Sequence, residues 1–267
     1  MDMARIAIYS RLKKPSHWCN IKYGVTAGYT AVNMARQRQF SSKSHRRFSS
    51  STTLSKTNDF VDKLSSTNMA QATRRWLESI VIAQKLCPFA APVRNPPKMR
   101  IHVVHGTNHQ ELVDAVAFEI HNLVGDEKLS NLPNRPETTL VVLNPQTCPS
   151  LKDFRDLIHL SWIVQEEVIV EHNYTSLVQQ VLFHPEATHE TYALPGMDVD
   201  AADYTIRSPY PTIHLLREQD VMQAVASGYP DLEGLPARNK AKLRQEGAEA
   251  CRQRLLQCTQ IVEESKS

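Results

Sequence analysis

The chain has 267 residues, 41% of them hydrophobic, and a formal charge of only +3. No run of about 18 apolar residues marks a membrane span, so the composition is that of a globular protein. The five cysteines form no CxxC pair and no Cys/His pattern with ligand spacing, which argues against a metal site or a disulfide framework.

The charge is divided unevenly along the chain. Residues 1–57 contain 11 Lys and Arg against one acid, Asp2, whereas the remainder contains 20 basic and 27 acidic residues. An Arg- and Ser-rich, acid-poor leader is typical of an organellar transit peptide. Arg46-Arg47-Phe48-Ser49 resembles a mitochondrial processing site, so we expect a transit peptide over 1–48 and a mitochondrial matrix location, with a plastid less favoured. The alternative is a disordered basic arm for nucleic acid or a membrane surface.

The first half of the remaining chain predicts helices alternating with strands. Residues 49–68, rich in Ser, Thr and Asn, predict a disordered linker, and 69–267 a single globular domain. Apolar residues at helical spacing predict a helix over 73–87, which Pro88 ends. The next predicted elements are a strand over 101–105, a helix over 109–124 stopped by Gly125, a strand over 139–143 and a helix over 151–171.

The second half begins with a third predicted strand, over 177–183. A long proline-bearing segment, 184–211, then precedes a strand over 212–216, a short helix over 219–226 and a closing helix over 236–264 that Gly247 can break. The order α-β-α-β-α-β-β-α predicts an α/β (or α+β) fold with helices packed on a mixed sheet of about four strands. A connection as long as 184–211 is usually functional or disordered.

Several motifs in this body resemble one family. They are Thr73-Arg74-Arg75-Trp76-Leu77-Glu78, Leu86-Cys87-Pro88-Phe89-Ala90, Phe183-His184-Pro185, the block Arg207 to Glu218, and Arg238-Asn239. Together they resemble the family called domain of unknown function 1415, from about Thr73 to Leu243. The resemblance implies a compact protein and no particular activity. The chain departs from the family pattern over Thr191 to Asp198 and at Ile206.

Cys87 and His184 are the candidate catalytic residues. A reactive cysteine needs a lowered pKa, and the predicted helix C-terminus at Cys87 disfavours a thiolate unless His184 or an arginine lies close. His184 follows a predicted strand, where sites of α/β proteins are commonly built. The alternatives are a buried structural Cys87 and a capped, hydrogen-bonded His184.

The segment Arg207-Ser208-Pro209-Tyr210-Pro211 is the candidate substrate-binding loop. Two prolines stiffen it, Arg207 offers a fork of donors for a carboxylate or phosphate, and Ser208 and Tyr210 add hydroxyl groups. Arg217, ten residues on, completes a predicted anion clamp. In the alternative, Arg207 pairs with one of the upstream carboxylates, Asp198, Asp200 or Asp203.

His214 lies inside the fourth predicted strand. We include it among the substrate-binding candidates, although a core-lining histidine is the more ordinary interpretation of that position. No phosphate-binding or hydrolase motif is present, which argues against the usual nucleotide-binding folds and the standard serine hydrolases and leaves the cofactor open.

Two functions of different class follow. The first is a mitochondrial enzyme that acts on a small anionic metabolite with Cys87 and His184 chemistry. The second is a non-catalytic binding or assembly module whose last helix docks a partner. The acidic body has no basic stripe with interleaved aromatic residues, which argues against nucleic-acid binding. Convergence of Cys87, His184 and Arg207 around one pocket would favour the enzyme. Side chains that are dispersed, buried or paired with one another would favour the module.

Overall fold

The computed structural model describes residues 55–125, 136–189, 199–228 and 232–260. These residues form seven α-helices and four strands, so the predicted α/β fold is confirmed. The strands are β1 (Met99–Val104), β2 (Thr138–Leu143), β3 (Val178–Phe183) and β4 (Thr212–Arg217). The helices are α1 (Ser55–Trp76), α2 (Ala90–Val93), α3 (His109–Val124), α4 (Phe154–Val164), α5 (Glu218–Ala226), α6 (Leu235–Glu246) and α7 (Ala248–Thr259).

The four strands form one mixed sheet in the order β1-β2-β4-β3. Strands β1 and β2 are parallel, with Met99 opposite Thr138, and α3 crosses between them. Strand β4 lies between β2 and β3 and runs antiparallel to both. All six residues of β2 are buried, which agrees with the uniformly apolar sequence predicted to form a central strand.

The two faces of the sheet carry separate hydrophobic clusters. Val141 and Leu143 of β2 and Ile213 and Leu215 of β4 pack under α3 and α4, on what we call the α3/α4 face. Leu140 packs with Trp76 of α1 and Cys258 of α7, on the α1/α7 face. The alternation along β2 follows from the two-residue repeat of a strand.

Helix α1 begins at Ser55, within the range 49–68 that we predicted as a linker. The composition favoured a linker because Ser, Thr and Asn are poor helix formers. The buried residues described for α1 begin after this range, with Met69, Ala72 and Thr73. Residues 49–54 and the predicted transit peptide lie outside the described residues.

The end of α1 also differs from the prediction. The helix widens into a π-turn over Leu77–Ile82 and then stops, five residues before Cys87. Lys85 adopts a left-handed φ of 57°, and the Leu86 N–H bonds to the Val81 carbonyl at 2.9 Å. This is the 6→1 bond of a helix C-cap, so local backbone geometry ends the helix before Pro88 does.

The predicted closing helix is interrupted at Gly247, the position at which the sequence allowed a break. Gly247 has a φ of 87°, and α6 and α7 meet there. Both helix cysteines, Cys251 and Cys258, are buried on one side of α7. No helix among the described residues is long and apolar enough to cross a membrane.

Candidate functional site

His184 is held through both ring nitrogens. It follows β3, is 1% exposed, and packs on the ring of Phe154. Its Nε2 donates to the Leu151 carbonyl at 3.1 Å, and its Nδ1 accepts the Glu186 N–H at 3.1 Å. Burial lowers the pKa of His184, which keeps the ring neutral. This is the capped, hydrogen-bonded histidine of the alternative interpretation, with no nitrogen left for proton transfer.

Cys87 and His184 lie on opposite faces of the sheet. Cys87 packs against the cluster that contains Leu140, whereas Phe154, beside His184, belongs to the cluster that contains Val141. Leu140 and Val141 are successive residues of β2 and therefore point to opposite faces. The structure does not bring the two predicted catalytic residues together.

The environment of Cys87 favours the thiol. Burial raises its pKa, while hydrogen bonds from the backbone of Phe89 and Ala90 act in the opposite direction. Those donors belong to the turn that opens α2, so Cys87 faces a short helix start as well as following α1. From the sequence we expected the C-terminus of the preceding helix to disfavour the thiolate, whereas in the structure burial is the main cause of the raised pKa.

Arg207 is engaged on several sides. Its Nε donates to the Ala187 carbonyl at 3.0 Å, and its guanidinium lies 4.7 Å above the centre of the Tyr204 ring. A terminal nitrogen is 4.0 Å from Asp203 Oδ2. Pairing with an upstream aspartate was the alternative to the clamp. Of the other two aspartates named there, Asp200 pairs with Arg244, and Asp198 lies outside the described residues.

Arg217 lies at the far end of β4 from Arg207. Its Nε bonds to Asp220 Oδ2 at 2.6 Å, in the first turn of α5. A strand of six residues spans about 17 Å between its first and last residues. The two guanidinium groups therefore do not converge, and each has a carboxylate nearby.

Ser208 and Tyr210 shape the start of β4. The buried Ser208 hydroxyl donates to the Tyr210 carbonyl at 2.6 Å, and the Thr212 hydroxyl donates to the same oxygen at 2.8 Å. Burial raises the pKa of the half-buried Tyr210, with Arg75 acting in the opposite direction. The hydroxyl groups of Ser208 and Thr212 thus stabilise the loop, which the two prolines led us to expect to be stiff.

His214 lies on the α1/α7 face beside Phe183, with ring centroids 6.3 Å apart. Its Nε2 lies 2.6 Å from Thr138 Oγ1, and that hydroxyl donates to the Leu215 carbonyl at 2.9 Å. The histidine nitrogen is therefore the donor in the first bond. Burial lowers the pKa of His214 to about 4. A neutral histidine that joins two strands is what the core-lining interpretation expects.

A polar cluster that the sequence analysis missed joins α1 to the sheet. His105 Nε2 lies 2.5 Å from Ser66 Oγ, and His105 Nδ1 lies 3.0 Å from Asn144 Nδ2. Asn144 Oδ1 accepts the Gln146 N–H at 2.9 Å, which turns its amide nitrogen toward the histidine. His105 therefore accepts through Nδ1 and donates through Nε2, so the bond holds Ser66 without activating it as a nucleophile.

Two signals in the sequence pointed to this cluster. His105 ends one predicted strand and Asn144 directly follows the next, and ligands of α/β proteins bind beyond the carboxyl ends of parallel strands. The third member was hidden, since Ser66 falls in the range predicted as linker. Position relative to strand ends was thus a better guide than the spacing between histidines.

A groove of about 560 Å³ runs between α1 and the edge strand β1. Among the described residues that line the groove are two arginines, Arg74 and Arg100, and no acid. Arg100 Nε lies 2.9 Å from Oε2 of the fully buried Glu119 of α3, so this guanidinium is paired with a carboxylate. The lining residues are Thr67, Ala70, Gln71, Arg74, Pro96, Pro97, Met99, Arg100, Ile101 and Pro136.

Comparison with known families supports the resemblance found in the sequence. The model of the family described as protein of unknown function (DUF1415) matches residues 68–253. The chain belongs to this family. No curated protein and no solved structure matches the chain.

The family motifs meet one another in the structure. Trp76 Nε1 donates to the Arg207 carbonyl at 3.0 Å, and its ring packs edge-on against Phe183, with centroids 5.2 Å apart. Asn239 Nδ2 donates to the Leu86 carbonyl at 2.7 Å. Each of the quoted motifs thus contacts another, and these contacts hold α1, β3, the start of β4 and α6 together.

Proposed function

We propose that this protein binds a small anionic metabolite in the groove between α1 and β1. The observation that carries the proposal is Arg74 in the lining of this groove, beside Met99 and Ile101, with no acid among the described residues that line it. A volume of about 560 Å³ lies within the usual range for small-molecule sites. The ligand class is the one expected from the sequence, at a different place in the fold.

Arg74 suits a carboxylate or phosphate group, whereas the guanidinium of Arg100 is already paired with Glu119. A guanidinium offers a planar fork of donors that binds such groups through two parallel bonds. Arg74 is about one-third exposed, and its nearest carboxylate, Glu78, is 3.9 Å away. Its NH1 also donates to the Arg94 carbonyl at 3.1 Å, so the side chain is held in place yet keeps donors for a ligand.

Binding fits the described residues better than catalysis does. Cys87 and His184 are separated by the sheet, and both His184 nitrogens are occupied. The proposal therefore uses neither residue as a chemical group. It also differs from the partner-docking alternative, because α7 turns its two cysteines into the protein and packs against α1.

A ligand screen followed by substitution of Arg74 tests the proposal. The full chain is screened by thermal unfolding against inorganic phosphate, phosphate monoesters, and mono-, di- and tricarboxylates. A ligand that binds only the folded state raises the unfolding temperature. Arg74→Ala should weaken the binding of that ligand about 10-fold or more, since a charge-assisted hydrogen bond contributes roughly 1.5–3 kcal/mol. Arg74→Lys keeps the charge and loses the fork, so it should fall between Arg74→Ala and the parent.

Arg252→Ala is the matched control. Arg252 lies on α7, and like Arg74 it pairs with a carboxylate on its own helix, Glu249. The control removes the same charge away from the groove and should leave the affinity unchanged. Equal losses in Arg74→Ala and Arg252→Ala, or no stabilisation by any anion of the panel, would overturn the proposal.

A further inference from the structure

Two histidines and a tyrosine form a compact surface cluster on the α3/α4 side of the molecule. The ring centroids of His121 and His172 are 4.9 Å apart, and both rings lie within 6 Å of the Tyr174 ring, at 5.5 and 5.7 Å. Both histidines are exposed, whereas Tyr174 is half-buried and packs against the main core. This cluster takes no part in the proposed anion site.

Both histidines are anchored through the same ring nitrogen. His172 Nδ1 lies 2.9 Å from the Val168 carbonyl, and because a carbonyl only accepts, this nitrogen carries the proton. His121 Nδ1 lies 3.1 Å from the Tyr174 hydroxyl, which accepts as well as donates. The Nε2 atoms are not engaged in these bonds.

The backbone holds the three side chains together. His121 belongs to the last turn of α3, whose buried residues fix the helix on the sheet. Asn173 adopts a left-handed φ of 59°, and the Tyr174 N–H bonds to the Ile169 carbonyl at 2.8 Å. This 6→1 bond closes the wide turn that follows α4 and leaves His172 and Tyr174 on either side of Asn173. Asparagine is among the few residues that tolerate this conformation.

We propose that His121 and His172 form a two-histidine binding site for a divalent transition-metal ion, with Nε2 of each ring as the ligand atom. Two imidazoles on one tetrahedral ion, with metal–nitrogen bonds of about 2.0–2.1 Å, have centroids about 5 Å apart. The observed separation is 4.9 Å. Metal-ligating histidines usually donate their other nitrogen to a carbonyl, carboxylate or water, as His172 does here.

The chemistry of the site points to imidazole-preferring ions with open positions. Among the described residues, no three His, Cys, Asp or Glu side chains converge. The site is therefore a two-ligand site that leaves the remaining positions of the ion to water or to a ligand. In the proposed site the Tyr174 hydroxyl accepts the Nδ1–H of His121. This leaves the Nε2 lone pair of His121 for the metal.

Titration of the full chain with Ni²⁺ tests the proposal, because nickel prefers imidazole and the chain contains free thiols that would compete for zinc. Calorimetry should give one binding event that His121→Ala and His172→Ala each weaken at least 10-fold. Both residues are exposed, so the variants should unfold like the parent. Tyr174→Phe keeps both ligands and removes the hydroxyl that holds His121, and it should weaken binding about 10–100-fold.

His159→Ala is the matched control. His109 and His159 also form a ring pair, with centroids 6.1 Å apart, but His109 Nε2 already lies 3.0 Å from Ser150 Oγ. The control should bind Ni²⁺ like the parent. The proposal is overturned if the parent binds no Ni²⁺, if the His121 and His172 variants bind as the parent does, or if His159→Ala loses as much affinity as they do.

Discussion

Protonation of His214 should weaken the fold. Burial lowers its pKa from 6.5 to about 4 in the folded chain. Between these values the unfolded chain binds a proton that the folded chain does not. Its contribution is therefore fully present above pH 6.5 and is lost as the pH falls toward 4, at about 1.4 kcal/mol per pH unit.

Comparison of two pH profiles isolates this contribution. In His214→Gln the side-chain amide still offers a donor to Thr138, but no group titrates at this position. The free energy of unfolding, measured by urea between pH 4 and 6.5, should fall less steeply in the variant than in the parent. His184 and His121 also have lowered pKa values, so some slope remains in both proteins. Parallel profiles would show that His214 is not held neutral.

The predicted site residues illustrate what one sequence can tell at the scale of side chains. Arg207 and Asp203 are four residues apart, so their pairing could be considered from spacing alone. The contact of Arg207 with the Ala187 carbonyl and the bond between Ser66 and His105 join residues 20 and 39 positions apart. Which distant groups meet depends on the folded arrangement, and spacing carries no information about it.

At the scale of elements, Trp76 is the residue that fastens α1 to the rest of the fold. It is 3% exposed, contacts Phe183 of β3 and donates to the Arg207 carbonyl. Trp76→Ala should reduce the free energy of unfolding by roughly 3–5 kcal/mol, because it removes a large buried ring and leaves a cavity.

Trp76→Phe separates the ring from its hydrogen bond. The smaller ring keeps much of the apolar contact, but the Arg207 carbonyl loses its indole donor. We expect a loss of about 1–3 kcal/mol, the cost of leaving a partly buried acceptor without this donor. Chemical denaturation measures both variants. A loss below about 1 kcal/mol for Trp76→Ala would show that α1 contributes little to the core.

Element type was more predictable than element ends. The bounds of α3 were predicted in full, since Asn108 caps its first turn and Gly125 stops it with a φ of 64°. Both predicted ends of α1 were wrong. Its end is set by a left-handed Lys85, a residue type with no marked preference for that conformation. Local signals place an end only where they are strong.

For the whole molecule, mitochondrial targeting by the basic leader remains a prediction. The leader holds 11 Lys and Arg in its first 57 residues and a processing-site pattern at Arg46 to Ser49. A fusion of residues 1–60 to a fluorescent reporter should enter mitochondria and should be cut near Phe48. Replacement of Arg46 and Arg47 by Gln is the control, and it should impair cleavage more than import. A diffuse cytosolic reporter, or an uncut leader inside the organelle, would contradict the expectation.

The order of the strands has a consequence for how the molecule is assembled in time. Strands β2 and β3 follow each other along the chain, yet β4 lies between them in the sheet. While the chain is being synthesised, the first three strands are complete before Thr212 appears, and two of their edges wait for a partner. Such edges pair readily with other chains. We therefore expect a chain truncated before Thr212 to aggregate or to bind chaperones rather than to fold as a smaller stable protein.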